Sequence, residues 1–177
     1  KLATLKGKKL HGKRNHINKF IQEHPDYGYM KLEPSMYDEC IGVYDEWRAD
    51  KGLSENEFSN ERRSVVLAIR NMEALGLTGG VIKLDGKIKA FTIGERLRKD
   101  IQLIHIEKAD ADINGLFPMI NQQYVLHECQ DVEYINREED MGVEGMRKAK
   151  RSYCPDYMVK KYFAAKGKLT RQELSVE

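Results

Sequence analysis

The pattern of apolar and polar positions is clearest from Ala90 to Glu139. Ala90–Glu95 and Ile101–Lys108 read as strands, Ile113–Cys129 as a helix, and Val132–Glu139 as a third strand. In the Ile101–Lys108 strand the two-residue period predicts Leu103, His105 and Glu107 on one face. Ile104 and Ile106 are then expected on the other. The strand at Val132 ends in the polar run Asn136-Arg137-Glu138-Glu139-Asp140. In open α/β sheets ligands bind beyond the carboxyl ends of strands, so function is expected there.

The remaining elements follow from periodicity and punctuation. A basic helix is predicted from about Lys8 to Glu23, with Ile17, Phe20 and Ile21 as its apolar edge; Pro25 disfavours its continuation. Tyr27–Leu32 reads as a strand. Pro34 opens a helix through Trp47, striped by Met36, Cys40, Val43 and Tyr44. A turn at Asp50–Leu53 precedes a helix from Ser59 to Leu75, with Gly76 placed to end it. Val81–Leu84 and Ile88–Gly94 form a hairpin around Asp85-Gly86. Late in the chain come a basic helix over Glu144–Tyr153, a strand over Tyr157–Ala164 and a polar tail. This order predicts an α/β (α+β) domain, with a mixed central sheet flanked by helices.

Composition narrows the classes. A chain of 177 residues with 41% hydrophobic and 33% charged residues is long enough, and apolar enough, to bury one core. No apolar run approaches the roughly 20 residues that cross a bilayer, and Lys1–Lys9 lacks the apolar centre of a signal peptide. The chain opens on Lys1 rather than Met, as a segment of a longer protein would. Cys40, Cys129 and Cys154 fit neither a disulfide framework nor a zinc spacing and suit a reducing cytoplasm. Glu138, Glu139 and Asp140 are too few oxygen ligands for a hard cation, so no metal is expected.

Net charge is only +2, but cations cluster. Lys6, Lys8, Lys9, Lys13, Arg14 and Lys19 load the first helix, and Arg147, Lys148, Lys150 and Arg151 a later one. Such clusters contact phosphate in nucleic acid or lipid, or simply form solvated faces. Glu107 is a candidate base with His105 as its partner; alternatively His105 bonds within the sheet and Glu107 pairs with Lys108 or Arg137. Arg137 suits a phosphate or carboxylate by its planar fork, or an internal salt-bridge network. Cys154 has no evident base partner and is not expected to act as a nucleophile.

This order of elements resembles the GNAT acyltransferase fold, in which two central strands splay to admit the acyl donor. Here those strands would be Ile101–Lys108 and Val132–Glu138. Three stretches sharpen the resemblance: His11-Gly-Lys-Arg-Asn-His16; His105-Ile-Glu-Lys-Ala109; and Tyr134–Asp140 with Arg147–Tyr153. Together they look like the DUF2156 family, related to the C-terminal catalytic domain of phosphatidylglycerol lysyltransferases. The resemblance implies a second GNAT-like half, with residues 1–24 as the joining basic helix, 25–165 as the GNAT-like domain and 166–177 as a polar tail. An N-terminal GNAT-like half would lie outside this chain.

The family implies aminoacyl transfer from aminoacyl-tRNA to an anionic lipid headgroup or a small hydroxyl or amine, without a bound cofactor. Glu107 and His105 would be base and partner. Tyr153, four residues after Ala149 as in many GNAT enzymes, would be the acid. Lys8, Lys9, His11, Lys13, Arg14, Lys108, Asn136, Arg137, Lys148 and Lys150 would contact substrate. Lys108–Gly115, with one Gly and two acids, makes a poor pyrophosphate cradle, which counts against an acyl-CoA donor. Two other readings stand beside this one: an acyl-CoA-dependent N-acyltransferase, and a non-catalytic module that binds RNA or a ligand.

Overall fold

The computed structural model describes residues 1–50 and 59–160, with Tyr162 and Gly167. The chain divides into two compact units, 1–138 and 139–177. In the first unit a 3-10 turn leads into α1 (His11–Glu23), followed by β1 (Gly28–Lys31), α2 (Tyr37–Asp50) and α3 (Ser59–Arg70). Then come β2 (Leu77–Leu84), β3 (Lys87–Arg98), β4 (Ile101–Ala109), α4 (Leu116–Glu128) and β5 (Tyr134–Asn136). The second unit contains α5 (Glu144–Arg151). These are the predicted elements with shifted ends, except for the last strand. Tyr157–Lys160 has no regular structure, and apart from Tyr162 the rest of that prediction lies outside the described residues. So do Lys51–Leu53 of the predicted turn and, apart from Gly167, the tail.

The five strands lie in the order β1-β2-β3-β4-β5, antiparallel except for the parallel pair β4–β5. The β2–β3 hairpin closes on Asp85 and Gly86, both at positive φ (50° and 79°). That turn matches the right-handed twist of its strands, and glycine makes its second position easy.

Each face of the sheet is sealed by different helices. Val81, Phe91, Ile93 and Ile106 pack with Cys40, Val43 and Tyr44 of α2 and Val65 and Ile69 of α3. On the opposite face Ile104 packs with Tyr124, Val125 and Cys129 of the α4 region. Burying each such side chain contributes roughly 1.5–3 kcal/mol. The polar groups buried under α4 are matched to one another. Tyr124 OH lies 2.8 Å from Thr78 Oγ1, and Gln102 Nε2 donates to it at 2.9 Å.

Candidate active site

The parallel β4–β5 ladder is short. It pairs Ile101 with Tyr134, Gln102 with Ile135 and Leu103 with Asn136, and then stops while β4 continues to Ala109. The cause lies at the end of β5. The Asn136 carboxamide accepts the Glu138 N–H at 2.8 Å, and Glu138 adopts a left-handed backbone with φ of 57°. An asparagine that bonds two residues on turns the chain out of the strand. The gap that opens beside β4 is bridged by side chains rather than by backbone.

The other edge of β4 carries a β-bulge. Ile93 pairs with Ile106 but Gly94 pairs with Ile104, which leaves His105 with no opposite residue. An extra residue in one strand reverses the side-chain alternation beyond it. The simple alternation expected for this strand is therefore corrected. Ile104 packs toward α4 while Ile106 joins the α2/α3 core, so the two do not share a face. Glu107 instead turns toward α4, and Lys108 toward α2 and α3.

His105 spans the opening. Its Nδ1 is 2.6 Å from Glu138 Oε1 at the end of β5, and its Nε2 is 3.2 Å from Glu95 Oε1 on β3. A neutral imidazole donates through only one of these nitrogens, so a proton can be exchanged along the pair of carboxylates.

Glu107 is held at both oxygens. Arg137 Nη2 donates to Oε1 at 2.8 Å, and Asn121 Nδ2 of α4 donates to Oε2 at 2.7 Å. The Glu107 and Arg137 side chains are only 13% and 18% exposed, so the pair sits in a region where charge interactions are strong. A carboxylate has about four lone-pair sites, and two donors leave capacity for a substrate proton. Lys13 of α1 completes the cluster. Burial, and then the nearby Arg137 charge, lower its ammonium pKa, while Glu107 acts in the opposite direction.

Lys13 also lines a cleft of about 340 Å³ with His16, Asn114, Phe117 and Pro118, at the start of α4. The His16 ring nitrogen lies 2.9 Å from Asn114 Oδ1. Gly115 (φ 84°) permits this close packing, because a Cβ there would lie 2.3 Å from the His16 carbonyl oxygen. In the loop before it, Asp110 accepts the Asp112 N–H at 3.1 Å and a Lys89 ammonium bond at 3.0 Å.

Of the expected site residues, the fold brings Glu107, His105, Arg137, Lys13 and Asn136 to this opening, with Asn136 spending its carboxamide on its own turn. Lys108 is directed elsewhere, to the face opposite Glu107, as the next residue along a strand is. There its Nζ bonds Glu61 at 3.0 Å and lies 3.4 Å from the Trp47 ring centroid. Arg14 donates to the carbonyls of Leu5 and Gly7, tying down the N-terminal segment. His11 faces Asn15 at 3.2 Å on α1, and Lys8 and Lys9 are exposed.

Tyr153, Lys148 and Lys150 belong to the second unit. Tyr153 is buried, Lys148 is exposed, and Lys150 donates to the Glu139 carbonyl at 2.5 Å. In the same unit Arg147 holds Asp140 at 2.7 Å, and that bond depresses the Asp140 carboxyl pKa.

Sequence reasoning missed Asn121 and Glu95. Asn121 is 1% exposed, among Met119, Ile120, Tyr124 and Val125 on the buried side of α4. A lone carboxamide among buried positions was the available signal, since such a group needs a partner. Among the described residues no three His, Cys, Asp or Glu side chains gather as metal ligands do, and no helix is long and apolar enough to cross a membrane.

The family model described as phosphatidylglycerol lysyltransferase, C-terminal, matches residues 1–165. An uncharacterized protein of Mycoplasmoides gallisepticum is 25% identical over 169 residues, 92% of this chain and 52% of that protein. A conserved protein of unknown function from Bacteroides thetaiotaomicron is similar in structure, with a TM-score of 0.85 and 46% identity, over 89% of this chain and 53% of that one. The DUF2156 C-terminal domain of a proposed lysylphosphatidylglycerol synthetase from Agrobacterium fabrum gives a TM-score of 0.57 at 20% identity, over 86% of this chain and 52% of that one. A protein from Clostridium acetobutylicum described as a predicted acetyltransferase, solved with acetyl-CoA, gives 0.50 at 10% identity, over 80% of this chain and 96% of that one, a likeness of fold. The chain thus has a GNAT-type fold, and it spans about half the length of the Mycoplasmoides, Bacteroides and Agrobacterium proteins it matches.

Proposed function

This chain belongs to the phosphatidylglycerol lysyltransferase C-terminal family, and from that premise we propose that it is the acyl-transfer half of an aminoacyltransferase. Its donor is an aminoacyl-tRNA, and its acceptor is a lipid headgroup or another small hydroxyl or amine. The observation that carries the reading is the Glu107–Arg137–Asn121 cluster in the gap where β4 and β5 part. An acceptor hydroxyl or amine attacks the ester carbonyl, the bond to the tRNA ribose oxygen breaks, and that oxygen leaves with a proton. Glu107 takes the acceptor proton, with His105 as its neighbour in proton exchange. Arg137 and Lys13 face the negative charge that develops on the carbonyl oxygen. Tyr153 is proposed as the acid that protonates the leaving oxygen. The cleft beside Lys13 and His16 is assigned to the 3′ end of the donor, and Lys8 and Lys9 to phosphates further along it.

The loop before α4 favours this donor over an acyl-CoA. A pyrophosphate cradle needs backbone N–H groups turned outward at a helix start. Here the Asp112 N–H is taken by Asp110, and the Leu116 N–H lies 3.3 Å from the Ile113 carbonyl. Two carboxylates stand in the same loop.

The test is a donor screen on the full-length protein, with radiolabelled aminoacyl-tRNAs, acyl-CoAs, lipid vesicles and small amines. Label passing from tRNA to an acceptor is expected. Label passing from acyl-CoA alone would move the protein to the CoA-dependent acyltransferases. Salt-sensitive tRNA binding without any transfer would leave a binding module.

A further inference from the structure

His16 of α1 is exposed and lines the cleft of about 340 Å³ at the start of α4, with Lys13, Asp112, Asn114, Phe117 and Pro118. Its place is fixed twice. Its backbone carbonyl packs so closely on Gly115 that a Cβ there would lie 2.3 Å away. Its ring is held by Asn114, whose Oδ1 lies 2.9 Å from Nδ1. A carboxamide oxygen has no proton to give, so the neutral imidazole carries its proton on Nδ1 and donates it there. The other nitrogen, Nε2, then holds a lone pair and can only accept.

The surroundings limit what this nitrogen takes. It needs an O–H or N–H donor. Lys13 and Asp112 line the same cleft and offset one another, so there is no excess charge to attract an ion, and a neutral hydroxyl fits. Half-buried Phe117 and Pro118 supply an apolar wall on which a sugar or base can lie. The volume is at the small end of ligand pockets, which run from about 300 to 1,000 Å³, and suits one nucleoside rather than a duplex.

We propose that His16 is a specificity-determining residue for the donor. Its Nε2 accepts the free 2′-hydroxyl of the terminal ribose whose 3′-oxygen bears the aminoacyl ester. That hydroxyl is the group by which a protein tells RNA from DNA at a given site. Asn114 acts through the ring, by fixing the tautomer that leaves Nε2 able to accept. This role rests on the aminoacyl-tRNA donor proposed above, and it names the group that separates an RNA-borne ester from other activated esters.

The test offers the full-length protein two donors, both charged on the 3′-hydroxyl: an aminoacyl-tRNA with its natural terminal ribose and one ending in 2′-deoxyadenosine. The parent is expected to use the ribose donor about five- to tenfold better in kcat/KM, the worth of one hydrogen bond. His16→Ala keeps the backbone carbonyl that packs on Gly115, and it should bring that ratio close to unity by slowing the ribose donor alone. His16→Gln, which sets an amide oxygen where Nε2 stood, should restore most of the preference. Asn114→Leu, which frees the ring to change tautomer, should lower it about twofold. Equal use of both donors by the parent, a ratio unchanged in His16→Ala, or an equal loss with both donors would overturn the proposal. Dissociation constants of uncharged acceptor-stem hairpins, ending in ribose or 2′-deoxyribose, give a readout that needs no transfer. Absence of transfer from any aminoacyl-tRNA would contradict the donor reading. A ribose preference in hairpin binding that His16→Ala abolishes would still uphold the role of His16, and equal binding of the two hairpins by the parent would overturn it.

Discussion

Glu107 and Lys108 are neighbours on β4, yet they meet opposite environments. Lys108 points into the face sealed by α2 and α3, where Glu61, Trp47 and Tyr44 surround its ammonium. Glu107 points to the side where β5 has turned away, and its partners come from α4 and the end of β5. Both are ion pairs of half-hidden groups, but only one adjoins an opening. Neighbours on a strand point to opposite faces; the extra residue His105 decides which face each takes, and the Asn136 to Glu138 bond turns β5 away on the side of Glu107. Under the proposed function, the enclosed pair is a structural fixture and the pair beside the opening is the reactive one.

That contrast can be broken most severely from the sealed side. Phe91 is fully buried and pairs with Lys108 across the β3–β4 ladder. Phe91→Ala is expected to cost about 3–5 kcal/mol in urea unfolding. Transfer per folded molecule should be kept, and a cost below about 1 kcal/mol would show that this face is not packed as described.

The Lys108 pair gives the next effect. Glu61→Gln is expected to cost about 1–3 kcal/mol, toward the low end because the Glu61 side chain is 37% exposed. Lys108→Met should be close to neutral, since an apolar side chain in place of a buried charge removes its desolvation cost. Burial lowers the Lys108 ammonium pKa, with Glu61 opposing the shift. The unfolded chain therefore holds that proton more tightly than the folded one. Stability relative to Lys108→Met should rise as pH climbs from the folded pKa to the ordinary lysine value near ~10.4, be complete above it, and be lost as pH falls. In Glu61→Gln the rise should begin at lower pH. Unfolding midpoints measured from about pH 7 to 11 check this, and a flat difference would contradict it.

On the open side, Asn121→Leu removes one donor from Glu107 while keeping an apolar helix. It is expected to lower kcat about tenfold with KM changed less than about twofold, the mark of a positioning residue. A raised KM with kcat unchanged would place Asn121 in substrate binding instead.

The smallest effect is in the thiols. Burial pushes both Cys40 and Cys129 to about 12, so they stay protonated near neutral pH. Cys154 is half-exposed and should react first with a thiol reagent. Fast labelling of Cys40 would show that the α2 face opens readily.

Among the described residues, periodicity and turn residues were enough for five strands and five helices, most of which bury one regular face, although α5 buries no residue. They failed where the backbone departs from its period. A bulge has no composition of its own, so the shift at His105, and with it which helices Glu107 and Lys108 each meet, could not be read from alternation. Tyr157-Met-Val-Lys160 has the apolar residues of a strand, but those residues are exposed and the segment has no regular structure. At the site, Glu107, His105 and Arg137 stood out as charges at the ends of strands. Arg14 did not separate from the other cations, because its use on the Leu5 and Gly7 carbonyls depends on a loop that no pattern marks. Asn121 was hidden because an asparagine in a helix is ordinarily exposed.

The most direct measurement compares single-turnover transfer from aminoacyl-tRNA by the full-length protein, by Glu107→Gln and by Lys108→Met. If the opening between β4 and β5 carries the chemistry, Glu107→Gln loses about 10²- to 10⁴-fold in rate while Lys108→Met keeps the rate of the parent. Equal rates in all three, or a loss confined to Lys108→Met, would contradict the assignment and move the reaction away from that opening.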